Sequence, residues 1–361
     1  MFLIHPHAAK RSLAMQTIKY TFSISSTLEC NSALPRPRMR GGCGAIRRDT
    51  MSSKGKSPVD WKIWLVIAVL ASSMIGFSGG YFVGGMAKKV TFSVVDDYGR
   101  SVELDGVPQR IVSVASSTTE LLFAVGAGSQ VVGVDNYSDY PAQVKNLTQV
   151  GSFTLNAEVI MSLKPDLIVC GDLVPRGQLD NLASQGIPYF IFATRTVEGM
   201  LNDLTLAGGL TGHLLEAQSL VKSLQVKIDS VTNKTLAPGV DKPMTYVEYY
   251  PYYTFGPGSF GDDMIRLSGG TNVAANASSE YPLLTSEFII AQNPRILVYT
   301  VGPMTQTTAS DFAERTDWNL TYAVSHDKIY TMDDNLISRY GPRLVDGLER
   351  LAAIIHPELF T

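Results

Sequence analysis

The sequence predicts an α/β fold of two lobes joined by a single long helix, preceded by an N-terminal transmembrane helix. Three observations carry that prediction. Beyond Lys89, short β-rich runs alternate with helical patterns, which implies parallel sheets covered on both faces. One helical pattern, from His213 to Val231, outlasts the others and falls near the middle of the alternating part. Ahead of it, residues 63–87 (IWLVIAVLASSMIGFSGGYFVGGMA) run for 25 positions without a charge. As a helix that run reaches about 37 Å, more than the roughly 30 Å of hydrocarbon in a bilayer.

The N-terminal elements follow from charge. Residues 1–89 carry 13 Lys+Arg against 3 Asp+Glu, which leaves 17 against 30 for residues 90–361. Arg36, Arg38, Arg40, Arg47, Arg48, Lys54, Lys56 and Lys62 precede the apolar run; Lys88, Lys89 and Arg100 follow it closely. The positive-inside bias therefore makes residues 1–62 a basic cytoplasmic segment and residues 63–87 an uncleaved single-pass anchor in the cell membrane. Residues 90–361 then stand on the extracytoplasmic face. A cleavable signal peptide ending at Gly85-Met86-Ala87 is the alternative, but the run exceeds an ordinary signal core. Gly76, Gly80 and Gly84 offer a helix-pairing face. Residues 1–50 show no periodicity and a compact lead-in begins at Met51, which makes Met51 an alternative start. Cys30, Cys43 and Cys170 build no disulfide framework. Asn136, Asn146, Asn233, Asn276 and Asn319 each open a glycosylation sequon, as suits an external surface. The acidic body argues against nucleic-acid binding, which needs a basic patch.

Within residues 90–361, "RIVSVA" (110–115) reads as a buried strand, and Ser117-Thr118-Thr119-Glu120 as a capping box for the helix "ELLFAVGA". "VVGV" (131–134), "DLIVC" (166–170) and "PYFIF" (188–192) continue the strands, with "RGQLDNLASQG" as a helix between the last two. This N-terminal α/β lobe spans 90–207. The linker helix, 208–234, is apolar at Leu214, Ala217, Leu220, Val221, Leu224, Ile228 and Val231. The C-terminal α/β lobe, 240–361, resumes with "MTYVEY", "RILVY" and "KIYTM" and closes on the helix "PRLVDGLERLAAII".

A repeat joins the lobes. Residues 156–170 (NAEVIMSLKPDLIVC) lie on residues 285–299 (TSEFIIAQNPRILVY) without a gap: a cap, a glutamate, an apolar helix, a proline and a strand. Glu158 thereby matches Glu287, one carboxylate in each lobe. A first-turn carboxylate is favoured by capping alone, yet one such unit on each side of the linker suits a grip on a two-fold partner. The second feature is EYYPYYTFGPGSF (248–260), which crowds Tyr249, Tyr250, Tyr252, Tyr253 and Phe255 ahead of a Gly-Pro-Gly turn. Such rings cap a core at a strand end or line a site for a large, flat, partly polar ligand.

Three stretches, RIVSVASSTTELLFAVGAGSQVVGVDNYSDYP, VGSFTLNAEVIMSLKPDLIV and SRYGPRLVDGLERLA, resemble the substrate-binding proteins of cobalamin, haem and ferric-siderophore ABC importers. These belong to the helical-backbone periplasmic-binding family, and the resemblance runs from about Val90 to Phe360. It implies two Rossmann-like lobes bridged by a rigid helix, with ligand held between them and no catalytic activity. It also implies that Glu158 and Glu287 dock on arginines of the importer permease, itself driven by an ATPase. Cleft aromatics of cobalamin-binding relatives fall at the 249–255 stretch, Phe153 and Tyr281, and the NYSDYP loop adds Tyr137 and Tyr140. A monomer without intrinsic cofactor or metal is expected, carrying a corrinoid or an iron chelate.

The chemistry of the body agrees with a binding role. His213, His326 and His356 stand apart from one another and from any triad-like Ser or Cys motif. GAGSQVVG precedes a strand and so lacks the dinucleotide-binding context. Haem-binding relatives often carry a tyrosine after the "VG", where this chain has Ser152. Arg339 reads as the cleft cation, while Arg343 is expected to turn back onto its own helix. One arginine among many rings favours a large, weakly charged ligand such as a corrinoid. A ferric siderophore or haem is the alternative ligand, and a membrane-anchored sensor without an importer the alternative function.

Overall fold

A computed structural model describes residues 91–302, 305 and 307–360. The basic segment, the apolar run 63–87, its glycine face, Cys30, Cys43 and the Met51 start lie outside the described residues. Among the described residues no helix is long and apolar enough to cross a membrane.

The N-terminal lobe opens with an antiparallel hairpin, β1 (Phe92–Val95) and β2 (Ser101–Leu104). There follow β3 (Ile111–Val114), α1 (Ser116–Ala124), β4 (Val131–Val134), β5 (Thr148–Gln149) and α2 (Ala157–Ser162). The lobe is completed by β6 (Leu167–Gly171), α3 (Arg176–Ser184), β7 (Tyr189–Phe192) and α4 (Val197–Thr211). Its sheet is parallel, ordered β5-β4-β3-β6-β7. The linker is α5 (Leu214–Thr235). The C-terminal lobe runs β8 (Met244–Glu248), α6 (Phe260–Leu267), β9 (Thr271–Asn272), α7 (Ser286–Gln292), β10 (Ile296–Val301), α8 (Ala309–Glu314), α9 (Tyr322–Ser325), β11 (Ile329–Asp333) and α10 (Leu344–Ile355). Its parallel sheet is ordered β11-β10-β8-β9.

Parallel strands are buried on both faces because crossover helices return over them. Hence β3, β6 and β7 are buried along their whole length. The outer face of each sheet has its own small core, centred on Ile160, Ile168 and Ile191 in one lobe and on Tyr246, Leu297 and Trp318 in the other. The inner faces share a single core that passes from Val169 and Phe192 through Leu204 and Ile228 to Val298 and Leu348. Helix α5 buries Ala217, Leu224, Ile228 and Val231 on one stripe, and both α4 and α10 pack against it. It begins at Leu214 rather than near residue 208, because Gly212 at φ +79° ends α4 with a left-handed cap. A Cβ on Gly208 would stand 2.3 Å from that of Ala217, so the α4–α5 contact is closer than any larger residue allows.

Two expectations are corrected here. The capping box at residues 117–120 does not form: α1 starts at Ser116 after Ala115, with no side-chain cap. Glu120 is buried instead, and accepts from Arg343 Nε at 2.9 Å and Arg339 Nη1 at 3.3 Å, both from the opposite lobe. Arg343 therefore crosses between lobes rather than turning back onto α10. Gly341 permits the approach, since a Cβ there would lie 2.9 Å from Glu120 Oε2.

A second set of polar groups surrounds residues 193–197, which lead from β7 into α4. Asp97 accepts from the backbone N–H of Ala193 at 2.6 Å, and Val197 N–H donates to Asp263 of the other lobe at 2.9 Å. Asp203 on α4 is buried beside Asp97 and Thr194, with one carboxyl oxygen unpartnered. Burial, with the Asp97 charge adding to it, pushes the Asp203 carboxyl well above the usual range; burial raises Asp97 as well. Of the glycosylation sequons, those of Asn136, Asn233 and Asn319 have their Ser138, Thr235 and Thr321 hydroxyls buried and hydrogen-bonded. Asn146 and Asn276 are exposed on connections between elements.

Two outcomes follow. Glu120→Ala leaves Arg343 without its carboxylate at the lobe junction and Arg339 with Asp139 alone, and should cost about 3 kcal/mol in urea unfolding, the low end for a broken buried pair because both arginines keep some solvent. Asp203 gives a pH dependence. Its folded pKa lies above the unfolded one, so its contribution is complete below about pH 4 and is lost as pH rises through the folded value. Asp203→Asn stays neutral and should flatten the fall in Tm across that rise; an unchanged slope would show that Asp203 does not carry it.

Candidate functional site

In open α/β sheets the crevice for ligands lies beyond the carboxyl ends of the strands, where connections leave in opposite directions. In the N-terminal sheet that point falls between β3 and β6, and in the C-terminal sheet between β8 and β10. Tyr340, from the connection before α10, reaches into the first: its hydroxyl would touch a Cβ on Gly171 at 2.7 Å. Burial raises its pKa, and Ser117 hydrogen-bonds it, so the phenol is a neutral group joining the lobes. The second point carries the aromatic stretch.

On the N-terminal side, Asp135 closes β4. It accepts from Tyr137 N–H at 3.1 Å and from the hydroxyls of Ser138 and Ser152. Burial raises this carboxyl, while those hydrogen bonds oppose the rise. Ser152 also receives Asn136 N–H at 3.1 Å, so it is spent on bracing this loop. Gly151, at φ +90°, is required because a Cβ would meet Thr154 O at 2.1 Å. The turn so fixed sets Phe153 and Tyr137 edge to face at 6.2 Å, both exposed. Tyr140 lies under the Arg343 guanidinium at 4.1 Å.

On the C-terminal side, β8 ends at Glu248, and residues 249–255 form a tight turn rather than a continued strand, with Tyr253 N–H donating to Tyr250 O at 2.7 Å. Glu248 builds it: buried, it accepts from Arg315 Nη2 and Nη1 at 2.7 and 2.8 Å, from the Tyr246 hydroxyl and from Tyr252 N–H. Tyr252, at φ +64°, swings away to lie over Arg315 and against Trp318. Phe255 is buried beneath Tyr249 at 5.0 Å. Two of the expected ligand rings thus face other partners, because alternation along a strand does not apply to a turn. Tyr249, Tyr250 and Tyr253 line an open hollow of about 270 Å³. Tyr281 stands edge-on to Tyr249 at 6.3 Å. Burial, with Tyr281 and Tyr253 nearby, pushes the Tyr249 hydroxyl up to about 12, so it stays a neutral donor.

The cleft cations are balanced. Arg339 meets Asp139 at 2.6 Å as well as Glu120. Arg195, which the sequence reading overlooked, binds Asp172 of its own lobe and Glu280 of the other. Leu173 and Leu283 also project from strand-end connections and are well exposed. The available signal was positional: Arg195 lies three residues after the strand PYFIF, and Asp172 and Leu173 lie two and three residues after DLIVC. Glu158 and Glu287 are exposed in the first turns of α2 and α7, where Asn156 and Thr285 cap the helices. Neither carboxylate meets a cation among the described residues. His213 precedes α5, His326 stacks on Tyr322, and His356 contacts Gly269 O and Glu358. Among the described residues no three His, Cys, Asp or Glu side chains are grouped to hold a metal ion.

Known proteins share this architecture. The family model described as periplasmic binding protein matches residues 111–336. An uncharacterized ABC transporter substrate-binding lipoprotein, YvrC of Bacillus subtilis, is 30% identical over 276 residues, covering 74% of this chain and 86% of that protein. A cobalamin-binding protein of Halobacterium salinarum is 26% identical over 264 residues, 71% of this chain and 72% of that one. The apo structure of the periplasmic haem-binding protein RhuT from Roseiflexus sp. RS-1 superposes with a TM-score of 0.63 at 26% identity, over 70% of this chain and 99% of that one. The chain belongs to the periplasmic binding protein family, the non-enzymatic substrate-binding components of ABC importers.

Proposed function

We propose that this protein captures a corrinoid between its two lobes on the extracytoplasmic side and delivers it to the permease of an ABC importer. The observation that carries the ligand class is the pairing of a ring-lined hollow with a charge-balanced cleft. Tyr249, Tyr250 and Tyr253 offer neutral aromatic faces, with Tyr281 beside them. Every cleft arginine described above already faces a carboxylate. A polyanionic ferric chelate would have to displace those carboxylates or endure them, whereas a large, weakly charged macrocycle needs neither. Ser152 is occupied in bracing the Asp135 loop, which speaks against an iron-ligating role at the haem position. The cobalamin-binding relative from Halobacterium salinarum supports the same class.

For delivery, Glu158 and Glu287 have the required exposure, one in each lobe at the start of a capped helix. The apolar run 63–87 would hold the protein at the membrane, in keeping with a lipoprotein relative. Membrane fractionation tests this anchor: soluble protein beginning near Lys88 would mean a cleaved signal instead.

Fluorescence titration of the purified protein with cyanocobalamin, haemin and a ferric siderophore tests the ligand, and tight binding of cyanocobalamin is expected. Tyr250→Ala with Tyr253→Ala should weaken that binding by about 0.5–1.5 kcal/mol per ring contact. Tyr252→Ala, which faces Arg315, should leave affinity unchanged, and the reverse pattern would return the hollow to a structural role. Glu158→Lys with Glu287→Lys should keep ligand affinity and abolish uptake. Full uptake by that double variant would instead favour a surface sensor without an importer.

A further inference from the structure

We propose that Arg195 is a specificity-determining residue of the cleft, which reads a single anionic group on the ligand by exchanging Glu280 for it. The inference rests on the ligand reading above and deepens it. Arg195 leaves the carboxyl end of β7 and holds two carboxylates of unequal standing. Asp172, from its own lobe, has a side chain 10% exposed and binds Nη2; Glu280, from the other lobe, is 42% exposed and meets Nε at 3.0 Å. Backbone carbonyls of Ala193 and Thr194 sit at 3.4 and 3.3 Å from Nη1 and help fix the guanidinium plane. Asp172 therefore holds the Nη2 amino group from within the lobe, while the Nε–H is turned to Glu280 of the opposite lobe.

The Glu280 contact is the replaceable one. An ion pair this exposed adds little to stability, so an incoming oxyanion can take its place on Nε at small cost and keep the charge-assisted geometry. Tyr281 is the next residue, with Tyr249 edge-on beyond it, so a macrocycle resting on those rings brings its periphery to Arg195. A second anionic group would meet Asp172 and the displaced Glu280 and be repelled. The site thus fits a flat ligand with one anionic oxygen group at its edge. A corrinoid with a complete nucleotide loop has one such group in its phosphodiester; one of the two propionates of a haem offers the same chemistry only where the other points away from Asp172 and Glu280.

Cyanocobalamin, which has the phosphodiester, and dicyanocobinamide, which lacks it, separate the contact from the rest of the macrocycle. The wild-type protein should prefer cyanocobalamin by about tenfold, the size expected for one charge-assisted hydrogen bond. Arg195→Met should erase the preference by weakening cyanocobalamin alone. Glu280→Gln, which keeps the shape and removes the competitor, should widen it. The same ratio in all three proteins overturns the inference while leaving the corrinoid reading intact. If haemin binds and neither corrinoid does, and Arg195→Met weakens haemin, the anion site stands with a propionate and the corrinoid reading falls. No binding of any probe overturns both.

Discussion

Glu120 holds the two lobes in one arrangement. A carboxylate buried in the first helix of one lobe would be costly without compensation, and the compensation arrives wholly from the other lobe, as Arg339 and Arg343. Much around it is arranged to allow that meeting. Gly341 clears the space, Arg343 then lies over Tyr140, and Arg339 reaches on to Asp139. Tyr340, between the two arginines, is carried to the carboxyl end of β6. The junction and one wall of the cleft are thus built from the same few residues.

That constraint explains why the cleft combines polar residues with so little free charge. The arginines at the cleft serve as crosslinks as well as surface, and a crosslinking arginine brings its carboxylate with it. Beside those paired charges the cleft presents neutral rings: Tyr137 with Phe153 on one wall, and Tyr249, Tyr250 and Tyr253 with Tyr281 on the other. The shared core through α4, α5 and α10 makes the lobes lean on a packed spine.

The aromatic wall depends on buried chemistry in turn. Glu248 ends β8 and ties Arg315, Tyr246 and Tyr252 N–H together, which forces Tyr252 into a left-handed conformation and turns the chain back. Phe255 packs onto Gly261, where a Cβ would lie 2.1 Å from the ring. One buried carboxylate in each lobe, Glu120 and Glu248, therefore shapes a connection that borders the cleft.

The sequence by itself determined the alternation of strands and helices, the long linker, and the paired helix–proline–strand units that became α2–β6 and α7–β10. These are properties of periodicity and capping, set by residues within a few positions of one another. Tertiary structure decided the rest. Glu120 and Arg343 stand 223 residues apart, and nothing local separates a glutamate that closes a capping box from one that crosses a domain junction. Likewise Tyr252 and Tyr253 are neighbours of the same type, yet one faces Arg315 and the other the hollow. Their directions are fixed by a turn whose φ values answer to a buried carboxylate. Arg195 was visible as a residue after a strand, but its two unequal partners, drawn from different lobes, exist only once the fold has brought Asp172 and Glu280 to either side of it.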